Sequence, residues 1–238
     1  MLTVHYLEKS RAHRILWLLE ELGLEYRVET YERGADYRAP ESLKRVHPLG
    51  KSPVIEDDGQ VVAESGAILE YLLARHGEGR LRPAIGSAEW VRYLYWLHAA
   101  EGSAMPPLVM RLVFASIPQR VPFFIRPVAK MISVGAIKSF IDPQLRTQIA
   151  YWSGELAQGG WFAGQDFTAA DIAMSYPVEA ALSRLPEAKN NGRLVAFSEA
   201  IKARPAYRRA EDRVGAPPAS HPELFQPRSP KRSRTSAA

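Results

Sequence analysis

The spacing of hydrophobic residues changes once along this chain, and that change limits the folds it can adopt. Residues 1–77 alternate between short segments rich in β-branched and aromatic residues and segments with an apolar residue every three or four positions. These are the periods of strands and of helices, respectively. Beyond the glycine- and proline-containing stretch 77–83, helical segments follow one another and no convincing strand pattern remains. The sequence therefore predicts an α/β N-terminal domain joined to an all-α domain.

The first strand–helix–strand unit occupies residues 2–30. A strand is predicted at 2–7, a helix from Arg11 with its apolar side chains on one face, and a second strand at 26–30. Ser10 is predicted as the N-cap of this helix, because its hydroxyl can accept a hydrogen bond from a backbone N–H group. Since two strands joined through a helix need a crossover connection, we expect them to pair in parallel.

A hairpin and a further helix complete the predicted N-terminal domain. Asp58-Gly59 is typical of a two-residue turn, and it separates predicted strands at 54–56 and 61–63. A short helix is predicted near 41–45. Ser65 is predicted to cap the last helix of the domain, whose apolar residues also recur on one face.

These patterns divide the chain into four segments. Residues 1–79 are assigned to the α/β domain, 80–86 to a linker and 87–215 to the helical domain, with two long helices broken around 118–127. The tail, 216–238, is rich in Pro, Ser and Arg and is predicted to be disordered.

The net positive charge is concentrated in this tail. The chain carries a net charge of +5, which falls to +1 without the tail cations Arg228, Lys231, Arg232 and Arg234. Because the body is nearly neutral, we predict no nucleic-acid partner. Two alternatives stay open: contact of the tail with an acidic surface or with nucleic acid, and contact of a middle segment containing Phe123, Phe124, Ile125, Arg126 and Lys130 with a membrane surface.

The absence of cysteine excludes disulfide bonds, thiolate metal sites and a protein thiol as nucleophile. We predict no metal. The N-terminus lacks the basic and apolar regions of a secretory signal, and five cations interrupt the most apolar region, 105–141. We therefore expect a cytoplasmic protein without a membrane-spanning helix.

Four short motifs occur in order along the chain: Ser10-Arg11-Ala12-His13-Arg14, Pro48-Leu49-Gly50-Lys51-Ser52-Pro53-Val54, Glu64-Ser65 and Phe167-Thr168-Ala169-Ala170-Asp171-Ile172. With this order and spacing, the chain resembles the glutathione S-transferase family over all of its length except the tail. Within the family it is most similar to the serine-type branch, and to fungal- and bacterial-type members with a long helical middle segment. The resemblance implies an α/β thioredoxin-like N-terminal domain, an all-α C-terminal helical domain and a homodimer.

The resemblance makes Ser10 the predicted catalytic residue, donating a hydrogen bond to the sulfur of glutathione. Lowering the pKa of a free thiol, about 8.5, by about two units requires ~2.7 kcal/mol. One charge-assisted hydrogen bond of roughly 1.5–3 kcal/mol, together with the positive end of a helix, is sufficient. The alternative is that Ser10 only caps the helix.

The second motif is assigned to the cysteinyl and glycine parts of glutathione. The resemblance implies a cis peptide bond before Pro53, with the backbone of Ser52 pairing with the cysteinyl part as an added strand would. Lys51 is the candidate for the glycine carboxylate, and His47 is a possible helper. The alternative for both is a solvated polar loop.

The third motif suits the γ-glutamyl end of glutathione. The Ser65 hydroxyl and the N–H groups at a helix start can hold a carboxylate, and Glu64 can take the ammonium group. The alternative is a simple cap with a solvated neighbour. In the fourth motif, Thr168 and Asp171 have the spacing of a capping box, so we expect a structural role there.

A pocket for the second substrate is predicted from residues of the first and middle helices: Arg11, Tyr95, Met105, Leu108 and Arg111. The implied reaction is conjugation of the glutathione thiolate with a hydrophobic electrophile, with reduction of hydroperoxides as a variant. The alternative is a non-catalytic glutathione-binding or regulatory protein on the same fold. The lack of cysteine disfavours chemistry through a mixed disulfide with the protein. Tyr6 lies within a predicted strand, which disfavours the tyrosine-using classes.

Overall fold

A four-stranded mixed sheet forms the centre of the N-terminal part in the computed structural model, which describes residues 1–34 and 38–215. Its strands lie in the order β2-β1-β3-β4, with bounds Leu2–Leu7 (β1), Tyr26–Tyr31 (β2), Val54–Asp57 (β3) and Gln60–Ala63 (β4). β1 pairs with β2 in parallel, and β3 pairs antiparallel with both β1 and β4. The predicted parallel pair and the hairpin at Asp58-Gly59 are confirmed.

Three helices accompany the sheet: His13–Leu22 (α1), Glu41–Val46 (α2) and Ser65–His76 (α3). α1 is buried on almost every side, because it packs against α3, against β1 and against two helices of the C-terminal part. Its side chains Ile15, Leu16, Trp17 and Leu18 have no solvent exposure. The residues just before α1 therefore stand where the two parts of the chain meet.

The two predicted N-caps are wrong by one or two residues. The N-cap of α1 is Ala12, while the Ser10 Oγ accepts from the N–H of Ala12 at 3.2 Å in the preceding turn. The N-cap of α3 is Glu64, and Ser65 is the first helical residue. The Ser65 hydroxyl accepts a hydrogen bond from Arg14 rather than from its own helix. The Ser10 hydroxyl thus stabilises the turn between β1 and α1, and the Ser65 hydroxyl joins α3 to α1.

The C-terminal part is helical, with bounds Ala88–Ala99 (α4), Met105–Arg120 (α5), Arg126–Ala136 (α6), Asp142–Leu156 (α7), Ala169–Arg184 (α8), Pro186–Lys189 (α9), Gly192–Ala203 (α10) and Pro205–Val214 (α11). π-helical turns at Ala100–Ala104 and Ile137–Ile141 join α4 to α5 and α6 to α7. The two long helices predicted in this region are therefore present, broken at residues 121–125. The predicted fold class is confirmed; the predicted disordered tail lies outside the described residues.

The fourth motif anchors α8 in the core. The Asp171 carboxylate is fully buried and accepts from the N–H groups of Thr168 and Phe162, both at 2.8 Å. Burial raises the pKa of Asp171 to about 7, although these hydrogen bonds oppose the rise. The predicted capping box is confirmed.

No helix within residues 1–34 and 38–215 is both long and apolar enough to cross a bilayer. In the same two ranges, no three His, Asp or Glu side chains come together in a group that could hold a metal ion.

Candidate functional site

Two adjoining clefts lie where the second and third sequence motifs meet the start of α1. The larger has a volume of about 480 Å³ and the smaller about 90 Å³. Four residues line both clefts: Arg11, Leu49, Lys51 and Ser52. Because they share these residues, the clefts adjoin one another; we call the two together the groove, and a molecule that extends across it would meet different groups in each cleft.

Ser10 lines the larger cleft, and its hydroxyl has a proton that it can donate to a bound ligand. Its Oγ accepts from the N–H of Ala12 and lies 3.4 Å from the Oγ of Ser52. The Ser52 hydroxyl donates to the carbonyl of His5 at 2.9 Å and accepts from the N–H of Leu7 at 3.1 Å. Since the Ser52 proton is used, Ser10 can act as the donor in their long contact. The same proton is available to a stronger acceptor placed in the cleft.

The second motif bends at a cis peptide bond between Ser52 and Pro53, as the resemblance implies. β3 begins at the next residue, Val54, and pairs with β1 from there. The hydrogen bonds of Ser52 to His5 and Leu7 hold this bend against β1. Lys51 and Ser52 thus stand at a fixed position between the two clefts.

The smaller cleft collects the predicted residues His47, Pro53, Glu64 and Ser65. Glu64 has φ 74° and ψ 127°, a backbone conformation that is strained for a residue with a side chain. Such strain costs about 1–3 kcal/mol and persists where the surrounding structure imposes it. At Glu64 it occurs between β4 and α3, where the side chain borders the cleft.

A buried arginine links this cleft to three other elements, and sequence reasoning assigned it no role. Arg14 is almost fully buried and donates to the Ala173 carbonyl at 2.7 Å, to the Ser65 Oγ at 3.2 Å and to the Glu101 Oε1 at 2.5 Å. The second Glu101 oxygen accepts from Arg11. Burial alone would raise the pKa of Glu101, but Arg14 and Arg11 hold it below its ordinary value. Glu101 is therefore ionised at neutral pH and fixes the position of both arginines.

Glu101 lies in the π-helical turn between α4 and α5. Such turns interrupt regular helices and are frequent at functional sites. Here the turn places the carboxylate at the wall of the smaller cleft. The sequence carries no local signal for this residue, because its partners Arg11 and Arg14 are 90 and 87 residues away along the chain.

The larger cleft is lined by more positive charge than the sequence motifs predict. Of its described lining residues, six are basic and one, Glu41, is acidic; the basic residues are Lys9, Arg11, Arg33, Arg38, Lys44 and Lys51. Glu41 pairs with Lys44 at 2.7 Å. The excess of cations produces a positive potential that favours a negatively charged ligand group in this cleft.

Tyr176 of α8 also lines the larger cleft and was not predicted. Burial raises the pKa of Tyr176, while the charges of Arg184, Arg11 and Arg14 oppose that rise. The phenol hydroxyl is therefore protonated at neutral pH and can donate a hydrogen bond into the cleft.

The other residues predicted for the second-substrate pocket do not line either cleft. Met105 and Leu108 are buried in the hydrophobic core. Tyr95 is 50% exposed and its ring contacts those of Trp96 and Tyr151, while Arg111 pairs with Asp142 at 2.8 Å. Only Arg11 of that set lies in the clefts. The helical period identifies an apolar face, but here that face packs against the core.

Tyr6 does not compete with Ser10 for a role in the groove. It lies within β1 and is almost fully buried, and burial raises its pKa to about 12. Neither cleft includes it among its lining residues.

Comparison with known proteins gives a consistent result. The family model described as "Glutathione S-transferase, N-terminal domain" matches residues 2–74, which include Ser10, Ser52 and Glu64. Glutathione S-transferase 3 of Schizosaccharomyces pombe is 34% identical over 214 residues, covering 90% of this chain and 88% of that protein. The disulfide-bond oxidoreductase YfcG of Escherichia coli is 30% identical over 224 residues, covering 87% and 92%.

The likeness extends to three dimensions. A crystal structure of a glutathione S-transferase from Actinobacillus pleuropneumoniae superposes with a TM-score of 0.78 at 33% identity, covering 94% of this chain and 99% of that one. The similarity thus includes the sheet, the groove and the helical part together. The chain belongs to the glutathione S-transferase family.

Proposed function

We propose that this protein is a glutathione transferase of the serine type, which activates the thiol of glutathione beside Ser10 and transfers it to a small electrophile. The observation that carries the proposal is the free proton of Ser10, since the neighbouring hydroxyl of Ser52 already donates to a backbone carbonyl. A hydroxyl that donates to a thiolate favours the ionised form of the sulfur. No metal and no covalent protein intermediate is required.

The two ends of glutathione are assigned different partners, all of which line the smaller cleft. We assign its γ-glutamyl ammonium to Glu64, its γ-glutamyl carboxylate to Ser65, and its glycine carboxylate to Lys51 with His47. The backbone of Ser52 then pairs with the cysteinyl part. These four sites line adjoining walls, which supports binding of one extended tripeptide.

The positive potential of the larger cleft supports the same chemistry. A thiolate beside Ser10 gains from the surrounding cations, because nearby opposite charge lowers the pKa of an acid. Once formed, the thiolate attacks the electrophile, a carbon–sulfur bond forms, and the leaving group departs with the electron pair of the broken bond. We infer that the electrophile binds between Arg11 and Tyr176, with Leu7 and Leu49 supplying apolar contacts.

We further propose a homodimer that acts in the cytoplasm in the disposal of reactive compounds. In this proposal residues 1–79 bind glutathione and 87–215 contribute to the site of the electrophile. The likeness to fungal and bacterial glutathione S-transferases supports this assignment.

Reduction of disulfides or hydroperoxides by glutathione is the second candidate function. The observation that favours it is the 30% identity with a disulfide-bond oxidoreductase. Since this chain has no cysteine, the reacting sulfurs would all come from glutathione or its substrate. One glutathione thiolate would attack the disulfide or peroxide, and a second glutathione would complete the reduction.

The first experiment that tests these functions measures glutathione binding to the purified full chain by isothermal titration calorimetry. We expect binding, and we expect conjugation of a chloronitrobenzene in its presence, followed as release of chloride and formation of the thioether. Turnover of a hydroperoxide or disulfide without any thioether product would favour the second candidate. Absence of glutathione binding would contradict both.

Glu64 offers a test of the γ-glutamyl assignment that separates binding from folding. Replacing Glu64 with glycine should lower glutathione affinity at least about tenfold, the effect of losing one charged hydrogen bond of ~1.5–3 kcal/mol. The same change should leave the free energy of unfolding equal or up to ~1 kcal/mol higher, because glycine relieves the strain of a positive φ. Isothermal titration and urea unfolding measure the two effects.

The matched control is Glu64→Ala, which removes the carboxylate but keeps a side chain at the strained position. It should bind glutathione as weakly as the glycine variant does. It should also unfold at a lower urea concentration than the glycine variant, because the strain at this position remains. If Glu64→Gly binds glutathione as tightly as the wild type, the carboxylate is not a ligand of the ammonium group.

A further inference from the structure

More than half of the large hydrophobic side chains that are exposed in the described residues lie on α5, on α6 or in the turns that follow these helices. Ten of the seventeen large hydrophobic residues exposed in the described part of the chain lie within residues 109–140. We call the exposed side chains of this range the α5–α6 surface. The most exposed is Phe123 at the turn between the helices, with 77% of its area accessible, followed by Met131 at 69% and Phe124, in the same turn, at 68%. Clusters of exposed apolar side chains on a soluble domain mark interaction sites.

The apolar residues of α6 do not serve the packing of α6 on α5. The buried positions of α6 are Ala129 and Ser133, two small residues that permit close approach to α5. Val128, Met131 and Ile132 are exposed and follow the i, i+3, i+4 spacing of a single helical face. α6 therefore carries a second, apolar face that nothing within the described chain covers.

Positive charge accompanies this apolar surface. The forty residues between Glu101 and Asp142 contain five cations and no Asp or Glu. Together with the four tail cations, these five exceed the net charge of the whole chain, +5, so the other residues are acidic on balance. Arg111 pairs with Asp142. The other four are exposed and form no ion pair with described residues: Arg120, Arg126, Lys130 and Lys138.

We propose that the α5–α6 surface docks this protein onto an anionic lipid bilayer. Helices that lie in the plane of a bilayer combine exposed aromatic and aliphatic side chains with Lys and Arg and lack acidic residues. Here Arg120 and Arg126 flank the turn that carries Phe123 and Phe124, so the cations reach headgroup phosphates where the phenyl rings enter the acyl boundary. Docking is peripheral, since none of the described helices could span the bilayer.

The charge pattern favours a bilayer over a second copy of the chain. A two-fold contact places the same patch on both sides of the interface, so these cations would face one another. Like charges brought together without acidic partners destabilise an interface. Anionic headgroups instead supply the missing negative charge along the whole surface.

The test is flotation of the full-length protein with vesicles of phosphatidylcholine alone or of phosphatidylcholine mixed with phosphatidylserine. We expect the protein to float with the mixed vesicles, less with phosphatidylcholine alone, and less as salt rises. Phe123→Ser combined with Phe124→Ser should lower the partition coefficient at least about tenfold. Arg126→Gln combined with Lys130→Gln should lower it on mixed vesicles only.

Two controls assign the effect to this surface. Ile85→Ser removes an apolar side chain that is 73% exposed outside residues 109–140, and it should not change flotation. Neutralising the tail through Arg228→Gln, Lys231→Gln, Arg232→Gln and Arg234→Gln should leave most of the binding in place. Glutathione binding by every variant verifies that it is folded.

Three results would overturn the proposal. The Phe variant could float as well as the wild type, or the tail variant could abolish flotation while the Phe variant does not. The third is conversion of a wild-type dimer to a monomer by the Phe substitutions, measured by sedimentation velocity, with no vesicle binding by the wild type. That result would assign the surface to contact between copies of the chain.

Discussion

Replacing Ser10 with alanine should raise the pKa of the thiol of bound glutathione by about one to two units. It should also lower kcat/KM at neutral pH about 10- to 100-fold. The hydroxyl has one proton to donate, and a hydrogen bond to a charged sulfur contributes about 1.5–3 kcal/mol. One pKa unit corresponds to about 1.36 kcal/mol. The measurement is the ultraviolet absorbance of the thiolate across pH, followed by kcat/KM on the same preparations.

The pH dependence gives this prediction a direction as well as a size. Lowering the thiol pKa increases the thiolate fraction most between the bound pKa and the free value of about 8.5. Wild type and Ser10→Ala should therefore differ most at neutral pH and converge above the pKa of the variant. Ser10→Thr keeps the hydroxyl and should keep part of the shift.

A second serine provides a control for position. Ser52→Ala removes the neighbouring hydroxyl, whose proton is donated to His5 and whose oxygen accepts from Leu7. We expect this variant to lose stability while keeping a lowered thiol pKa. If Ser10→Ala retains the full shift, the hydroxyl only holds the Ala12 turn, and the cations around the cleft lower the thiol pKa.

The sequence predicted those features that depend on neighbouring residues. The strand at Leu2–Leu7, the hairpin at Asp58-Gly59 and the capping box of Thr168 and Asp171 each arise from a short local pattern, and all three are present. The helix starts at Ser10 and Ser65 were less well predicted: the Ser10 hydroxyl accepts from the N–H of Ala12 in the turn before the helix, and the Ser65 hydroxyl accepts from a tertiary partner, Arg14. Local patterns set the elements, whereas contacts between elements set their ends.

The groove was predicted only on the side formed by consecutive motifs. Further lining comes from Glu101 and Tyr176, which lie far along the chain from the first three motifs and carry no local signature for this role. For the same reason, Met105 and Leu108 were placed in a pocket although their apolar side chains fill the core. One sequence gives the period of a helix but not which neighbour its apolar face meets.

The groove depends on a single buried arginine, and its removal should have the largest effect on stability. Arg14 of α1 contacts Ser65 of α3, the Ala173 carbonyl of α8 and Glu101 of the π-helical turn. Arg14→Met keeps the length of the side chain but leaves these acceptors without their donor. Removing one partner of a buried ion pair costs about 3–5 kcal/mol, so the urea midpoint should fall markedly.

Arg111→Met is the matched control, because Arg111 also pairs with a carboxylate but at a more exposed position. The Arg111→Met substitution should lower the free energy of unfolding by less than about 1 kcal/mol. Combining Arg14→Met with Glu101→Gln should recover part of the loss, since the Glu101 side chain, then held by Arg11 alone, no longer carries a charge that has lost one of its two partners. Equal costs for Arg14→Met and Arg111→Met would show that burial of the pair is unimportant. The alternative result is a large loss of stability in Arg14→Met together with weaker glutathione binding by the molecules that remain folded. That result would mean that the contacts of Arg14 both join the two parts of the chain and hold Ser65 in place for the substrate.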